Sequence, residues 1–362
     1  MSGIPQRLSL VSQTVAYLKA EIARGQWTRW LPGERQLCDQ LQVSRNTLRT
    51  ALRQLGRDGV IRPEHGLGSR IVHPPEEASG SRRSSTVCLL TPEPLETLRP
   101  THVLWIDELR ALLIEHGCRL QVLHGQQFFR ARPGAALQRL VQQHQPGCWI
   151  VIRSRGGTQA WFDRSGVPCV IAGSVMPGVD LPFVDLDHRA LCRHAAGVLL
   201  GLGHRRLAFL LEHTRRPGDV ASEQGFLDGV RTSGHPDARA LVIAHDPTVD
   251  SVCSTLRRLL DSPRPPTALF VANPFHYLTL TSRLAQLGRP VPRGMSVLCR
   301  DDDSFLSFVV PPPARYRMAP HAFARKLLRP VLEAVEGGHV MTRATSLMPE
   351  FVRGESIGPP PA

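Results

Sequence analysis

The sequence predicts a small α+β domain joined by a linker to a larger, two-lobed α/β domain. Its 362 residues suffice for two or three domains, and 42% of them are apolar, which is enough for buried cores. Three observations support this division. Short helical patterns and a hairpin occupy the first 73 residues, a polar stretch follows, and apolar strand-like runs then alternate with helical patterns.

The first part, residues 1–73, is predicted to be a winged helix-turn-helix. An apolar stripe at helical spacing runs through 9–24, and shorter helices are expected from Gly33 to Leu41 and from Ser44 to about Arg57. Ser44 is a suitable N-cap, because its hydroxyl can accept an unpaired N–H of the first turn. The runs VIRP and SRIV then flank EHGLG as a short hairpin. Three helices followed by a hairpin are typical of this fold.

A linker is predicted over residues 74–85. The stretch HPPEEASGSRRSST around it consists of Pro, Ser, Glu, Arg and other small or polar residues, with no apolar period. Such a stretch has little apolar surface to bury. We therefore expect the parts on either side to fold separately.

The second domain, residues 86–362, shows the alternation of a parallel α/β fold. Its strand-like runs are TVCLLTP, CRLQVLH, CWIVIR, PCVIAGS, RLAFLLE, ALVIAHD, TALFVAN and MSVLCRD. Helical patterns lie between most of them, at 102–116, 134–145, 188–201, 219–233, 249–261 and 275–287. Uniformly apolar strands separated by helices indicate parallel sheets covered on both faces. FVDLD at 183–187 divides the units into two groups, which predicts two lobes with a ligand cleft between them.

The third helix carries a polar face with the chemistry of a DNA reader. Arg45, Asn46, Arg49 and Arg53 occupy a sector beside the apolar face and include no acid. Arginine bonds bidentately to guanine, asparagine bonds to adenine, and a helix N-terminus favours phosphate. The simpler alternative is a solvated basic face. The preceding LPGER turn and the predicted wing favour DNA.

The composition narrows the function classes further. The formal net charge of +13 favours a polyanionic partner. No run of 18 apolar residues is present, so no membrane span is expected. The eight cysteines are scattered singly, mostly in apolar runs, which indicates buried thiols and a reducing cytoplasm. We expect no metal, no cofactor and no catalysis, because no ligand cluster and no nucleophile–base constellation is visible.

Residues 9–73 resemble the DNA-binding domain of the GntR family. The resemblance rests on the motifs LPxER, VSRxTLRxAL, LxxDGxI and HGxGS as they occur in this chain. It implies that Arg35 contacts phosphate or base and that His65 and Gly66 form a wing tip entering the minor groove. The recognition-helix contacts implied by the resemblance or expected from the polar face are Ser44, Arg45, Asn46, Thr47 and Arg49.

Residues 86–357 resemble the periplasmic-binding-protein-like regulatory domain of LacI/GalR repressors. The matching stretches include VDLDHRALCRHAAGVLLGLGHRRLAFL, PTALFVAN, VPRGMSVLCRDD and PEFVRGES. A GntR-type head on such a domain is similar to the arabinose-responsive repressors. The resemblance implies a sugar or nucleobase ligand in the cleft, with Asn273 and Asp301 as polar contacts. Strand-end capping and loop hydrogen bonding are the alternative roles for these two residues.

The expected ligand pocket departs from the family pattern. Ser222, itself a candidate ligand contact, stands where the family commonly has an arginine that clamps ligand hydroxyls, and Pro274 replaces the usual Asp. The loss of that guanidinium suggests a ligand less dependent on such a clamp. Arg153, Arg155 or Arg300 could supply a cation instead, although a surface position is the simpler interpretation of each.

The sequence therefore predicts a ligand-responsive transcriptional regulator. We expect a repressor that binds a palindromic double-stranded DNA operator as a homodimer and responds to a small-molecule effector such as a sugar or a derivative. The alternative is a DNA-binding regulator whose second domain has lost its ligand and serves only for dimerisation, which Ser222 and Pro274 motivate.

Overall fold

The structure is a computed structural model. It describes residues 9–24, 26–27, 29–64, 67–72, 84–214, 216–337, 340–341 and 343–361. The predicted wing tip, His65 and Gly66, and residues 74–83 of the predicted linker lie outside these described residues. None of the described helices has the length and apolar character needed to cross a membrane.

The N-terminal part, called the head (described residues 9–72), contains three helices and an antiparallel hairpin. The helices are α1 (Leu10–Ala23), α2 (Glu34–Leu41) and α3 (Arg45–Arg57). The hairpin strands are β1 (Ile61–Glu64) and β2 (Gly68–Ile71). Ser44 caps α3 as expected, because its hydroxyl accepts the N–H of Thr47 at 3.2 Å. A core that includes Leu18, Leu37, Leu48 and Leu55 holds the three helices together.

The N-lobe is a six-stranded sheet with helices on both faces. Its strands, in spatial order, are β13 (Ala344–Leu347), β7 (Phe183–Leu186), β6 (Cys169–Ala172), β5 (Cys148–Ile152), β3 (Thr86–Thr91) and β4 (Arg119–His124). All neighbouring pairs are parallel. Its helices are α4 (Pro100–Glu115), α5 (Gly134–His144), α6 (Gly156–Ser165) and α11 (Pro320–Gly337).

The C-lobe repeats this architecture with one antiparallel edge strand. Its strands, in spatial order, are β14 (Glu350–Val352), β12 (Ala314–Arg317), β11 (Ser296–Cys299), β10 (Ala268–Val271), β8 (Arg206–Glu212) and β9 (Arg239–His245). β14 pairs antiparallel with β12. The helices are α7 (His188–Gly201), α8 (Pro217–Arg231), α9 (Val249–Leu260) and α10 (Pro274–Gln286). The predicted fold class is therefore confirmed.

The chain passes between the lobes three times. It leaves the N-lobe after β7, returns between β12 and α11, and leaves again between β13 and β14. These crossings place the carboxyl ends of parallel strands from both lobes at a shared cleft, where such folds bind ligands. FVDLD, taken from the sequence as a divider, contains β7 and ends at the first of these crossings.

The head packs directly against the N-lobe. Trp30 and Leu67 of the head belong to the same buried apolar cluster as residues of α4 and α11. The guanidinium of Arg329 on α11 lies 5.9 Å from the Trp30 ring centroid and donates to the Leu31 carbonyl at 2.8 Å. Glu336 accepts Arg29 of the head in an ion pair at 2.9 Å. Thus α11 begins at an interlobe crossing and contacts residues 29–31 of the head farther along its length.

Candidate functional site: a basic helix face and an interlobe cavity

The recognition face of α3 is exposed as the sequence predicts. Leu48, Ala51 and Leu55 point into the head core and are each 0% exposed. The opposite face is exposed and includes Ser44, Arg45, Asn46, Arg49 and Arg53. Amphipathicity fixes this arrangement, because burying the leucine stripe turns the arginines outward. The face therefore presents guanidinium donors and an amide to anything that approaches it.

Two contacts organise the beginning of this face. The Nε of Arg49 donates to the carboxylate of Glu34, at the start of α2, across 2.9 Å. The hydroxyls of Ser44 and Thr47 lie 2.8 Å apart and close the first turn of α3. Arg35, next to Glu34, is exposed. The α2 residue Glu34 thus holds one arginine of α3 in a defined direction, an acid partner that the acid-poor α3 segment itself does not supply. The assignment of these residues to DNA contact stays a prediction.

A cavity of about 200 Å³ lies between the two lobes. Part of its wall is apolar, formed by Trp105, Ile152, Met318 and Phe323 among others. The rings of Trp105 and Phe323 pack with their centroids 5.1 Å apart. Polar side chains from both lobes line the remainder. An apolar wall opposite a few fixed polar groups is the usual construction of a small-molecule site.

Asp301 lines this cavity, as the sequence predicts, but its carboxylate is already engaged. It accepts a hydrogen bond from Nη1 of Arg99 in the N-lobe at 2.7 Å and another from Nε of Arg300 at 3.1 Å. Burial by itself raises the pKa of Asp301, yet the two guanidinium groups outweigh burial and hold that pKa below its ordinary value. Asp301 is therefore an anion that joins the lobes through Arg99.

Ser222 does not line the cavity, and its role differs from the expected ligand contact. Its side chain is 0% exposed, donates to the Gly218 carbonyl at 2.7 Å and accepts Nη1 of Arg300 at 3.1 Å. Arg300 reaches it from the end of β11 and is 9% exposed, so the surface interpretation of Arg300 is wrong. A guanidinium is present beside residue 222 after all. The expected loss of the clamp is thus corrected, because Arg300 supplies the cation.

Asn273 takes the capping role that the sequence left open. Its side-chain oxygen accepts the N–H of Phe275 at the start of α10, and its amide donates to Glu212 at 2.5 Å. It is not among the residues that line the cavity. The structure therefore gives no support to ligand contact by Asn273.

Arg153 lines the cavity, whereas Arg155 two residues later is exposed and does not. Arg153 follows β5 with φ 51°, in the left-handed region that residues with a Cβ seldom adopt. Such a conformation persists only where the surroundings impose it, and it is concentrated at functional sites. The nearest acid is Glu93, at 3.5 Å from Nη2.

Several cavity residues escaped the sequence analysis, and a common pattern connects two of them. Arg99 and Arg216 are the N-caps of α4 and α8, the first helices after β3 and β8, and each precedes a proline. Proline at the first helical position is favoured, since its fixed φ suits a helix start. The Arg-Pro pairs in TLRPTH and TRRPGD could have indicated that each lobe directs an arginine into the cleft.

Close packing at the cavity shows that the lobes are in contact. A Cβ placed on Gly218, in the first turn of α8, would lie 2.7 Å from Oγ of Ser174 on the N-lobe. Thr101 at the start of α4 donates to the Asp302 carbonyl at 2.9 Å across the cleft. Only glycine permits the first of these approaches. The structure therefore represents a closed arrangement of the two lobes.

Burial and charge also determine the state of His102 in the cavity wall. Burial, followed by the positive charges of Arg99 and Arg153, lowers the pKa of His102 to about 3. The imidazole is therefore neutral at physiological pH. It offers one donor and one acceptor without adding charge to the site.

Comparison with known protein families agrees with both halves of this arrangement. Residues 10–71 match the family described as bacterial regulatory proteins, gntR family. Residues 196–357 match the periplasmic binding protein-like domain. The chain is a DNA-binding transcriptional regulator with a GntR-type head and a LacI-type effector domain.

Curated relatives of this chain are also transcriptional regulators. The HTH-type transcriptional regulator CelR of Thermobifida fusca is 24% identical over 327 residues, 88% of this chain and 90% of that protein. The transcriptional repressor CytR of Escherichia coli is 25% identical over 177 residues, 49% of the regulator and 52% of CytR.

Solved structures share the fold of the regulator. A CelR–cellobiose complex has a TM-score of 0.67 at 22% identity and covers 97% of this chain and 100% of that one. A LacI family regulator from Enterococcus faecium with bound ribose has a TM-score of 0.62 at 16% identity. The match covers 76% of this chain and 99% of that one.

Proposed function

We propose that the regulator is a repressor whose DNA affinity is controlled by a small molecule bound between its lobes. The observation that carries the proposal is the cavity of about 200 Å³, lined by charged side chains of both lobes and by an apolar wall. A domain retained only for dimerisation has no need of an ion-paired cluster of Arg300, Asp301 and the partly buried Arg99 at a cavity, because charges removed from water are costly to maintain. CelR and the Enterococcus protein, which are solved with sugars, support a polar, ring-sized ligand.

The route from the cavity to the head runs through α11. Phe323 near its start lines the cavity, and Arg329 and Glu336 farther along hold the head. The helix directly follows a crossing between the lobes, so a change of the interlobe angle moves its start relative to the C-lobe. Ligand binding and head position are thereby coupled, and linkage requires that DNA change ligand affinity by the same factor.

A homodimer supplies the second recognition helix of a palindromic operator. Exposed apolar side chains on α4 support self-association, with Val103 37%, Leu104 49% and Ile114 64% exposed. Exposed apolar groups along one helix are typical of interaction surfaces, and most soluble oligomers are symmetric dimers. DNA contact is assigned to the exposed face of α3, with Arg35 beside it and the wing tip, His65 and Gly66, in the minor groove.

The test is operator selection followed by effector screening. Genomic fragments retained by the full-length protein yield an operator, and fluorescence anisotropy then measures its Kd with and without sugars, sugar acids and sugar phosphates. The proposal expects a palindromic site and at least one compound that changes the Kd by about fivefold or more. Tight operator binding that no compound alters, combined with no thermal shift by any compound, would favour the ligand-free alternative.

A further inference from the structure

We propose that the effector of this regulator carries an anionic group, a carboxylate or a phosphate, which bridges Arg153 of the N-lobe and Arg216 of the C-lobe. The inference rests on the proposed function, since it assumes that the interlobe cavity is the ligand site. It goes further by naming the charge of the ligand and the pair of residues that reads it.

The acids of the cavity wall already have partners. Arg300 and Arg99 share Asp301, and Arg300 also bonds Asp219 at 3.1 Å. The remaining acids of the wall are paired as follows: Asp302 with Arg315 at 2.6 Å, and Asp185 with the hydroxyl of Ser174 and with His188 at 3.4 Å. Each of these carboxylates therefore has a closer partner, and Asp219 attracts Arg216 only through space, without an ion pair between them among the described residues.

Two arginines remain without comparable compensation. Among the described residues, Arg216 makes no ion pair, and its Nε is buried without a hydrogen-bond partner. The Nε of Arg153 is likewise buried and unpartnered, and the only acid near its guanidinium is Glu93 at 3.5 Å, within the part of the chain that the structure describes. Buried donors without partners are rare, and their presence in a cavity wall indicates a missing acceptor.

The two guanidinium groups also act on each other. Burial and then the positive charge of Arg153 lower the pKa of Arg216, and the negative charges of Asp219 and Glu212 offset this lowering only in part, so the two cations repel across the cleft. Arg153 stands on the N-lobe and Arg216 on the C-lobe, so their repulsion opposes closure. An oxyanion between them converts that repulsion into two attractions and stabilises the closed arrangement.

The surroundings of Arg216 suit an oxyanion rather than a neutral group. Arg216 is the N-cap of α8, a helix of 15 residues, and Pro217 and Gly218 of its first turn line the same cavity. The N-terminus of a helix carries a partial positive charge, and because Pro217 has no N–H, Gly218 carries the first N–H of this helix. The planar guanidinium matches the two oxygens of a carboxylate or phosphate. With Trp105 and Phe323 also in the cavity wall, the ligand is a ring-sized molecule bearing one acidic group.

The test compares pyranose probes that differ in the group at C6. Titration calorimetry of the full-length wild type with D-glucose, D-glucuronate and D-glucose 6-phosphate separates a neutral sugar, a carboxylate and a phosphate. We expect at least one anion to bind more tightly than glucose. The variants Arg153→Gln and Arg216→Gln, which keep an amide donor, should each weaken that binding roughly 10- to 100-fold. The exposed Arg164→Gln on α6 is the control and should bind like the wild type.

A second arm requires no cognate ligand. In phosphate-free, low-salt buffer, Arg216→Gln should raise the Tm, because it removes a partly buried cation that makes no ion pair among the described residues. Inorganic phosphate should raise the Tm of the wild type and of Arg164→Gln but not that of Arg216→Gln. A lower Tm for Arg216→Gln together with no response of the wild type to phosphate overturns the proposal, as does an equal phosphate response in all three proteins. A neutral sugar that binds and alters operator affinity, with no anion doing so, overturns the anionic ligand while leaving the proposed function intact.

Discussion

The Nη2 atom of Arg329 on α11 lies 2.8 Å from the carbonyl oxygen of Leu31, in the segment between α1 and α2. This bond joins the effector domain to the head at the segment that leads into the helix-turn-helix. The same guanidinium lies over Trp30 and bonds Glu333 at 3.0 Å, so its position is fixed from both sides. Any displacement of α11 therefore reaches the head.

The first prediction concerns this contact. Arg329→Ala should loosen the head from the N-lobe, because it removes the bond to Leu31 and the contact with Trp30. We expect faster tryptic cleavage within residues 74–85 and a smaller effect of ligand on operator affinity. The neighbouring Arg325→Ala, which makes none of these contacts, is the control. Equal cleavage rates and equal ligand effects in both variants would show that the contact has no role in coupling.

The second prediction concerns the recognition helix. Arg45→Ala and Arg49→Ala should each weaken operator binding by about 1–3 kcal/mol and relax sequence preference. Arg53→Ala should cost less, because Arg53 lies farther along α3 and its guanidinium is turned towards Thr50 at 3.1 Å. Anisotropy at constant salt measures the three affinities. An Arg45→Ala protein with wild-type affinity would contradict the assignment of α3 as the reading helix.

The third prediction concerns the approach of the lobes at Gly218. Gly218→Ala should weaken effector binding, because the added Cβ would lie 2.7 Å from Oγ of Ser174 and 3.0 Å from Cδ2 of His188. Gly197→Ala within α7 is the matched control, since nothing lies within 4 Å of a Cβ there. That control should be neutral or slightly stabilising, as alanine favours a helix over glycine. Calorimetry on the two variants distinguishes them, and equal effector affinities would contradict a closed ligand-bound state.

The fourth prediction concerns pH. The pKa of His102 is lowered to about 3 in the folded protein, whereas an unfolded histidine titrates near 6.5. The unfolded state therefore binds more protons between these pH values. The contribution of neutral His102 to the free energy of unfolding is fully present above about pH 6.5 and is lost as the pH decreases towards 3. The loss attributable to His102 approaches about 1.4 kcal/mol per pH unit within that window.

Denaturant unfolding at pH 7.5 and 5.5 measures this dependence. The His102→Gln protein should lose less free energy of unfolding between the two pH values than the wild type. Other buried histidines, His204 and His276, also have lowered pKa values and leave a residual slope. An unchanged slope in His102→Gln would show that His102 is not buried in the neutral form.

Most of the fold could be predicted because its elements have strong local patterns. The runs from TVCLLTP to MSVLCRD all correspond to strands, and 188–201 was predicted with the bounds that α7 has. Two helices were missed for identifiable reasons. α6 begins with Gly156-Gly157, which disfavours a helix, and α11 contains Pro330 in its interior. Four strands were not predicted as strands: β7, β12, β13 and β14. They have only three or four residues each, and their pairing depends on distant partners.

The site was less predictable than the fold. The face of α3 follows from helical periodicity alone. The cavity instead brings together Arg99, Arg153, Arg216, Asp301 and others from positions up to about 200 residues apart, and no local pattern encodes such distances. Compensation at Ser222 by Arg300 is equally non-local. The sequence showed that Ser222 departs from the family pattern. Only the structure shows that the guanidinium of Arg300 lies beside it, 3.1 Å from the Ser222 hydroxyl.

Coupling between the cleft and the head is tested most directly by the operator Kd of the full-length regulator. Anisotropy measures this Kd at increasing concentrations of an effector that binds the wild type in calorimetry. Arg216→Gln and Arg164→Gln are measured beside the wild type. We expect the effector to change the Kd of the wild type and of Arg164→Gln by about fivefold or more. Arg216→Gln should bind the operator normally and respond only at much higher effector concentrations. An effector that saturates the wild-type protein and leaves its operator Kd unchanged would contradict the coupling of cleft and head.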